Sequence, residues 1–439
     1  IGDNCRIGKN VKISDSVVIG DNCIIEEGSS IKKSVVWENS YLSKNIQLRG
    51  SIVGERVYIK DRVSAFEGSV IGNYSTVEER ATISPNIKIW PDKIVEQGAK
   101  LNSNFVWGSS FSSSIFGNRG ITGDINIDIT PEFATRLGAS FGSIKNENSK
   151  IAISCDGSSA SEMIKIALSA GMLSAGVEVY DFGKTLLPVT RTAVRFYRLN
   201  GGIYVSSSSF GQTKVIIDFL DQNGGNIDRN TERKIENIFK RDDFRRCEGK
   251  NTKSIIEVKG YSHFYIKGLV NKIKSDDLKY KIALLTPSRL ITKTISDMLS
   301  ELGCELVAKS NSKWEEKDNE TGDVKDFARY VKKGAFDIGV SIEGSAEKML
   351  LVDDKGRMVT EDMFTALVSL IIFRSVEGST VVVPVSASNV IERIADLNNG
   401  KVVRCKTSDQ DIMGQLLSSG DAEEFLEQFA MHYDAVAGL

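Results

Sequence analysis

The sequence predicts two fold classes in one multidomain chain, a left-handed parallel β-helix followed by α/β domains. Three observations lead to this prediction. Aliphatic residues recur at every sixth position over roughly the first hundred residues. From Ile115 onward, short apolar strands alternate with amphipathic helices. The length of 439 residues also exceeds one ordinary core and is typical of about three domains.

The six-residue period places the β-helix at residues 1–105. Gly often follows the aliphatic residue, where the chain has to turn a tight corner. Each hexapeptide supplies a short strand and a turn, and three of them close a triangular coil whose aliphatic side chains stack inward. Because stacked coils of this kind often associate, we expect a homo-oligomer formed through the β-helix. The repeat positions are Ile1, Ile7, Ile13, Ile19, Ile25, Ile31, Trp37, Val53, Ile59, Ala65, Ile71, Val77, Ile83, Ile89, Val95 and Leu101.

The α/β part divides into predicted domains at residues 115–250, 255–375 and 379–439, the last short enough to be incomplete. Charged, turn-rich stretches at 241–254 and 310–321 are expected to be linkers or surface loops. The predicted strands are 150–154, 177–181, 202–205, 214–219, 281–285, 305–308, 337–341, 349–352, 381–384 and 401–405. The predicted helices are 161–175, 188–198, 230–240, 292–302, 323–333, 361–373 and 422–436.

Composition excludes several classes of function. The formal charge of −2 supplies no bulk attraction to nucleic acid or to an anionic membrane, and no stretch approaches the roughly 20 apolar residues of a membrane span. Six scattered cysteines without a CxxC pair indicate a reduced, cytoplasmic protein without structural zinc. The sequence argues against acyl transfer by the β-helix, because no histidine precedes His263 to act as a general base.

Four segments carry a resemblance to a known family. They are FGNRGITG at 116–123, ITPEFATRLGASFGS at 129–143, GGIYVSSSSFGQTKVIIDF at 201–219 and DIGVSIEGSAEKMLLVDDKGR at 337–357. In this order they resemble the phosphohexomutases, the family of phosphomannomutase and phosphoglucomutase. The resemblance covers about three-quarters of the chain and implies that the α/β part has the fold of that family.

The resemblance also implies a catalytic serine. In the family, a phosphoserine in the motif TASHNP passes its phosphate to a sugar phosphate, and the matching residue here is Ser208. By the same match, Ser207, Ser209, Arg119 and Asp156 stand at positions expected to bind phosphate. Read from the residues alone, the run 206–209 is either a nucleophile cluster or a polar loop that binds an anion through its backbone N–H groups.

The metal loop of the family matches residues 343–348. Its motif DGDADR holds Mg²⁺ with three Asp carboxylates, and the matching positions here are Glu343, Ser345 and Glu347. The family arginine is replaced by Lys348, which lacks the bidentate fork for phosphate. The sequence therefore leaves two interpretations open: Glu343 and Glu347 bind Mg²⁺, or they form a solvated acidic loop.

Further departures accumulate around these positions. Cys155 and Ser158 stand where the family has arginine, Thr122 replaces another arginine, and Phe210 and Gly211 follow Ser209 where the family has Asn and Pro. A phosphoryl-transfer site works by positioning and charge stabilisation, so losing several cations and metal ligands together should remove most of the activity. We therefore predict a degenerate, non-catalytic mutase fold. The alternative is a divergent mutase that uses Ser208 as its phosphoryl carrier.

The order of the domains predicts the kind of larger protein to which this chain belongs. A hexapeptide β-helix followed by mutase-like domains resembles the C-terminal part of a mannose-1-phosphate guanylyltransferase-like sugar nucleotidyltransferase. Because the chain begins inside a repeat and without Met, we expect a fragment with a nucleotidyltransferase domain upstream. The phosphate-binding fourth domain of the mutase family would lie beyond Leu439 and is absent from this sequence. The predicted role is assembly, sugar-phosphate or anion binding, or regulation of that upstream enzyme. A structural spacer that binds no small molecule ranks below these.

Overall fold

A computed structural model describes residues 1–101, 104–105, 115–117, 119–207, 213–273, 278–309, 320–418 and 423–439. The chain divides into two compact units. One comprises Ile1–Gly117 and Gly123–Thr130, and the other Asn118–Thr122 and Pro131–Leu439. No helix among the described residues is long and apolar enough to cross a membrane.

The first unit confirms the predicted parallel β-helix. Its short strands form three sheets in which each strand pairs in parallel with a strand one coil further along, as Tyr58 and Ile59 pair with Thr76 and Val77. The strands are β1 (Arg6–Ile7), β2 (Lys12–Ser14), β3 (Val18–Ile19), β4 (Ile24–Ile25), β5 (Ser30–Lys32), β6 (Val35–Val36), β7 (Tyr41–Leu42), β8 (Gln47–Arg49), β9 (Ile52–Val53), β10 (Tyr58–Ile59), β11 (Ser64–Ala65), β12 (Val70–Ile71), β13 (Thr76–Val77), β14 (Thr82–Ile83), β15 (Lys88–Ile89), β16 (Ile94–Val95) and β17 (Lys100–Leu101).

The core of the β-helix is a stack of inward-facing aliphatic side chains. In one sheet, Ile25, Leu42, Ile59, Val77 and Val95 lie one above another and are completely or almost completely buried. No residue of this stack could bury its side chain without the coils above and below it, which is why the repeat pattern extends over the whole solenoid.

The α/β part of the chain begins with a six-stranded mixed sheet in the order β18-β22-β21-β19-β20-β23, in which β21 and β22 run antiparallel. Helices α1 and α2 pack closely, because glycines such as Gly138 and Gly171 let their backbones approach. The elements are β18 (Ile121–Asp124), α1 (Pro131–Ser143), β19 (Lys150–Cys155), α2 (Ser159–Ser174), β20 (Glu178–Lys184), α3 (Leu187–Phe196), β21 (Gly202–Ser207), β22 (Lys214–Leu220), α4 (Arg229–Arg241), a 3-10 turn (Gly249–Asn251), β23 (Ile255–Glu257) and α5 (Tyr261–Val270).

A four-stranded mixed sheet of order β25-β24-β26-β27 follows, and then a parallel pair of strands. The elements are β24 (Lys281–Leu285), α6 (Arg289–Glu301), β25 (Glu305–Lys309), α7 (Glu320–Lys333), β26 (Ile338–Ile342), β27 (Met349–Asp353), α8 (Glu361–Ser375), β28 (Thr380–Pro384), α9 (Val390–Leu397), β29 (Lys401–Cys405), α10 (Asp409–Ser418) and α11 (Glu423–Tyr433). The observed architecture is the predicted one, a β-helix followed by α/β domains with mixed sheets.

Candidate functional site: a cluster of guanidinium and carboxylate groups

The candidate site is centred on the guanidinium group of Arg119. Its Nε and Nη2 atoms donate to Asp218 at 3.3 and 3.4 Å. The same Nη2 lies 3.0 Å from Glu347 Oε2, and Nη1 lies 3.8 Å from Glu343 Oε1. One arginine therefore stands among three carboxylates.

Backbone geometry brings Arg119 to this place. The next residue, Gly120, has a φ of +49°, and a Cβ atom there would lie 2.2 Å from the carbonyl oxygen of Ile217. Only glycine permits so close an approach to β22. Asp218 is the next residue of β22 and is buried. The close approach of the backbone at Gly120 therefore brings Arg119 within reach of this carboxylate.

Arg119 and Asp218 each stabilise the charged form of the other. Burial opposes the charged form of Arg119, but the nearby Asp218, Glu347 and Glu343 carboxylates outweigh it and raise the pKa of the arginine above its ordinary value. Burial raises the pKa of Asp218, and the positive charge of Arg119 counteracts that rise. Arg119 thus remains a permanent cation at the centre of the site.

A second arginine holds Glu347 from the other side. Arg191 on α3 is 1% exposed, and its Nη2 atom donates to Glu347 Oε1 at 2.5 Å and to Asn226 Oδ1 at 2.7 Å. Its Nη1 atom donates to the carbonyl oxygen of Gly224 at 2.7 Å. The buried Glu347 carboxylate is therefore bound by two guanidinium groups at once.

The remaining members of the loop between β26 and β27 contact each other. The Ser345 hydroxyl donates to Glu343 Oε1 at 2.5 Å and accepts from the backbone N–H of Glu347 at 3.3 Å. Mg²⁺ needs several oxygen ligands at about 2.0–2.1 Å in octahedral geometry. Here one carboxylate holds two arginines and the other accepts from a serine, so these three residues do not fit Mg²⁺ as they stand. Nowhere in the described ranges are three His, Cys, Asp or Glu side chains grouped so that they could hold a metal ion.

Asp156 connects two loops at the ends of neighbouring strands. Its Oδ2 atom accepts from both the backbone N–H and the hydroxyl of Ser207 at 2.7 Å, and its Oδ1 atom accepts from the backbone N–H of Ser158 at 3.0 Å. The Ser158 hydroxyl in turn caps α2 by accepting from Ser161 N–H. Asp156 therefore fixes the position of Ser207, the last residue of β21. Ser208 and Ser209 lie outside the described residues.

Lys348 faces a different neighbour. Its Nζ atom lies 3.2 Å from Asp409 Oδ2, and this carboxylate raises the pKa of the lysine against the opposing effect of burial. Both residues line a cavity of about 310 Å³ that His432 also lines. Burial and the positive charge of Lys348 lower the pKa of His432 to about 4, so the imidazole is neutral at neutral pH.

The structure thus groups Arg119 with Glu343 and Glu347, pairs Asp156 with Ser207, and places Lys348 beside Asp409. The roles proposed for these residues from the sequence stay predictions. Sequence reasoning missed Asp218 and Arg191. Each had a signal, because a lone charge within an apolar strand or an apolar helix face must find a partner on burial.

Comparisons with known proteins agree with these features. The sequence family "Phosphoglucomutase/phosphomannomutase, alpha/beta/alpha domain I" matches residues 113–246, and the family "EIF2B subunit epsilon LbH domain" matches residues 1–83. The chain is 28% identical over 317 residues to a phosphoglucomutase/phosphomannomutase of Thermococcus kodakarensis, covering 70% of this chain and 69% of the relative. It is 26% identical over 335 residues to a phosphoglucosamine/phosphogalactosamine mutase of Sulfurisphaera tokodaii, covering 73% and 72%.

A solved structure shows the same fold. A phosphoglucomutase/phosphomannomutase family protein of Burkholderia thailandensis superposes with a TM-score of 0.63 at 18% identity, covering 71% of this chain and 70% of that one. The region from residue 113 to residue 246 is therefore a phosphohexomutase domain I, preceded by a hexapeptide-repeat domain of the LbH type, and the homologues of this chain include phosphoglucomutase/phosphomannomutase and phosphoglucosamine mutase proteins.

Proposed function

We propose that residues 115–439 form a phosphohexomutase fold that binds a sugar phosphate or a similar small anion without transferring its phosphoryl group. The observation that carries this proposal is the pairing of Glu347 with both Arg119 and Arg191. At the position where the resemblance implies a metal ligand, two guanidinium groups already balance the carboxylate charge. A loop neutralised in this way has little electrostatic reason to attract a divalent cation.

Two partly exposed cations at separate places in this fold support anion binding. The Arg119 side chain is one-third exposed and Lys348 half-exposed, so both cations can be reached by a ligand from solvent. Asp156 holds Ser207, the last residue of β21, in place through both its backbone N–H and its hydroxyl. These features support retained recognition of a phosphate group with loss of the transfer chemistry.

A coupled mutase assay tests this proposal. It would use glucose-1-phosphate and mannose-1-phosphate with Mg²⁺ and the sugar bisphosphate activator, and compare wild type with Ser208→Ala. Ser300→Ala, at an exposed serine of α6, is the matched control. We expect no turnover in any of the three proteins, with binding of glucose-1-phosphate retained in calorimetry. Turnover that Ser208→Ala abolishes and Ser300→Ala preserves would contradict the proposal and make Ser208 a phosphoryl carrier.

For the β-helix we propose assembly of two copies of this chain. The sheet β3-β6-β9-β12-β15 carries an outward-facing apolar column in strict register, formed by Val18, Val35, Ile52 and Val70. Val18 is 59% exposed and Ile52 43%. Such a row on a soluble domain is typical of an interface.

Charges beside this column favour a second copy as its partner. In the two middle coils, Lys33 and Arg49 precede the sheet, whereas Glu38 and Glu55 follow it. A two-fold axis parallel to the solenoid would place the basic edge of one copy over the acidic edge of the other, while the apolar columns meet between them.

Sedimentation equilibrium of wild type and Ile52→Lys tests this assembly. Ser64→Lys, on a different face of the same solenoid, is the matched control. We expect wild type and Ser64→Lys to be dimers and Ile52→Lys to be a monomer. A monomeric wild type, or a dimer that survives Ile52→Lys, would contradict the proposal.

The order of the β-helix and the mutase fold also supports a proposal about the protein in which they act. We propose that they serve a sugar-phosphate nucleotidyltransferase domain in a longer protein of the cytoplasm. The order of the β-helix and the mutase fold supports this placement. The six cysteines, all of them free thiols in the structure, support a reducing compartment.

A further inference from the structure

A second cavity lies between helices α3, α5 and α11. Its volume is about 440 Å³, which is within the range of roughly 300–1,000 Å³ that small-molecule sites occupy. It is distinct from the Arg119 cluster, although Arg191 belongs to both. The Nη2 atom of this arginine binds Glu347, while the side chain also lines the cavity wall.

Several polar groups without hydrogen-bond partners belong to residues that line this cavity. Over the described residues, four buried side-chain atoms lack a hydrogen-bond partner, and three belong to residues that line this cavity. These three atoms are Arg191 Nε, Arg195 Nη1 and Tyr261 Oη. A buried donor without an acceptor is costly, and buried groups of this kind are nearly always paired. Three of them around one space point to a missing acceptor inside it.

Aromatic rings form much of the remaining wall. Phe429 lies under the guanidinium of Arg195, whose Cζ atom is 5.1 Å from the ring centroid. Phe196 and Phe264, both more than half exposed, lie with their ring centroids 4.9 Å apart. Aromatic faces of this kind suit a flat ring, because offset or edge contacts between rings add to the burial of apolar area.

The charges around the cavity favour an anion near Arg195. The acidic group Asp434 is already satisfied, since both of its oxygens accept from Tyr265 at 2.7 Å and one also accepts from the backbone N–H groups of Val436 and Ala437. Glu427 is the other acid of the lining, and Lys272 is a further cation. Arg195 has no carboxylate within ion-pair distance among the described residues, so its charge is the one that a ligand would balance.

We propose that this cavity binds a small organic anion with a flat aromatic body, of the chemical class of nucleoside monophosphates. The anionic group would accept from Arg195 and Tyr261, and the ring would lie against Phe196, Phe264 and Phe429. A plain sugar phosphate fits less well, because its hydroxyl groups would meet aromatic walls. The inference concerns a different site from the proposed mutase-fold function and does not depend on it.

Calorimetric titration of the 439-residue chain with GMP and UMP tests the proposal, with guanosine and inorganic phosphate as fragments. We expect saturable binding of at least one nucleotide, and binding at least about tenfold weaker for each fragment. Arg195→Met and Tyr261→Phe should each weaken nucleotide binding by about tenfold or more, because each removes a donor and keeps most of the side-chain volume. Arg233→Met, at an exposed arginine of α4, is the matched control and should bind as wild type does.

Thermal unfolding without ligand checks that the variants fold. Arg195→Met removes a half-buried cation whose Nη1 atom has no hydrogen-bond partner, so its Tm should equal or exceed that of wild type while binding is lost. The proposal is overturned if neither nucleotide binds, or if both cavity variants bind as wild type does. It is also overturned if a high-resolution structure of the protein grown with GMP shows only ordered water beside Arg195 and Tyr261.

Discussion

The β-helix and the Arg119 cluster are held together over very different distances along the chain. In the β-helix, each strand pairs with another 17 or 18 residues further on, as Ile25 pairs with Leu42 and Ile59 with Val77. In the cluster, Arg119 and Asp218 are 99 residues apart, and Arg191 and Glu347 are 156 apart. The solenoid therefore repeats one local solution, whereas the site depends on a few long-range pairs.

The largest effect should come from breaking the longest pair. Arg191→Met would leave the buried Glu347 with one cation instead of two, and we expect a loss of about 3–5 kcal/mol in the free energy of unfolding of the second unit. Urea denaturation measures this. Adding Glu347→Gln to the same chain should restore part of the loss, since the unpaired charge is then gone. Additive losses in the double variant would show that the two residues do not interact.

A core substitution in the solenoid should have a similar but local effect. Ile83→Ala removes a completely buried side chain of β14, and we expect a loss of about 3 kcal/mol. Thr82→Ala changes the outward-facing neighbour and should cost less than about 1 kcal/mol. Hydrogen exchange should show the opening confined to the coils beside β14, because coils contact only their neighbours. Equal losses for the two variants would contradict the inward and outward assignment.

Protonation of His432 should affect only the second unit. The pKa of His432 is lowered from 6.5 to about 4, so the unfolded chain binds a proton more readily than the folded one between these values. Stability present above pH 6.5 is therefore lost as the pH falls toward 4, by about 3 kcal/mol. His432→Gln should flatten this part of the curve of unfolding free energy against pH. An unchanged slope in the variant would show that other groups cause the dependence.

The smallest effect concerns a corner of the solenoid. Asn39 has a φ of +57°, and its Oδ1 atom accepts from Asn22 Nδ2 at 3.3 Å. Asn39→Val should cost about 1–2 kcal/mol, because a branched side chain is strained in the left-handed region. Asn39→Gly should be close to neutral, since glycine adopts that conformation freely. Thermal unfolding of the two variants measures both effects. An Asn39→Val variant as stable as wild type would contradict the prediction.

The same contrast explains what could be predicted from the sequence. The period of six determined the strands of the β-helix because each coil meets only a near copy of itself. Most strands and helices of the α/β part were also predicted from their periodicity. Helix α1 was not, because Gly138 and Gly142 weaken its helical pattern, although these glycines allow it to pack against α2. The short elements β23 and α5 were missed as well, since the segment mixes aromatic and polar residues without a clear period.

The site was predictable only in part. A resemblance in the loop at 343–348 directed attention to Glu343 and Glu347, and the opening motif did the same for Arg119. Asp218 and Arg191 are lone charges among apolar residues, which predicts that each needs a partner but not which one, because ion pairs across the fold are set by tertiary structure. The sequence alone identified the positions at which the metal ligands of the family are replaced. The structure shows which cations contact the residues that stand there.

Mn²⁺ binding, followed by electron paramagnetic resonance as a substitute for Mg²⁺, tests the central claim most directly. If Arg119 and Arg191 hold Glu347 between them and Arg119 also pairs with Asp218, wild type should show no saturable binding at micromolar Mn²⁺. Arg119→Met, which leaves Asp218, Glu343 and Glu347 without their central cation, should bind more tightly than wild type. Micromolar binding by wild type that Glu347→Gln abolishes would contradict the account and return these residues to the role of metal ligands.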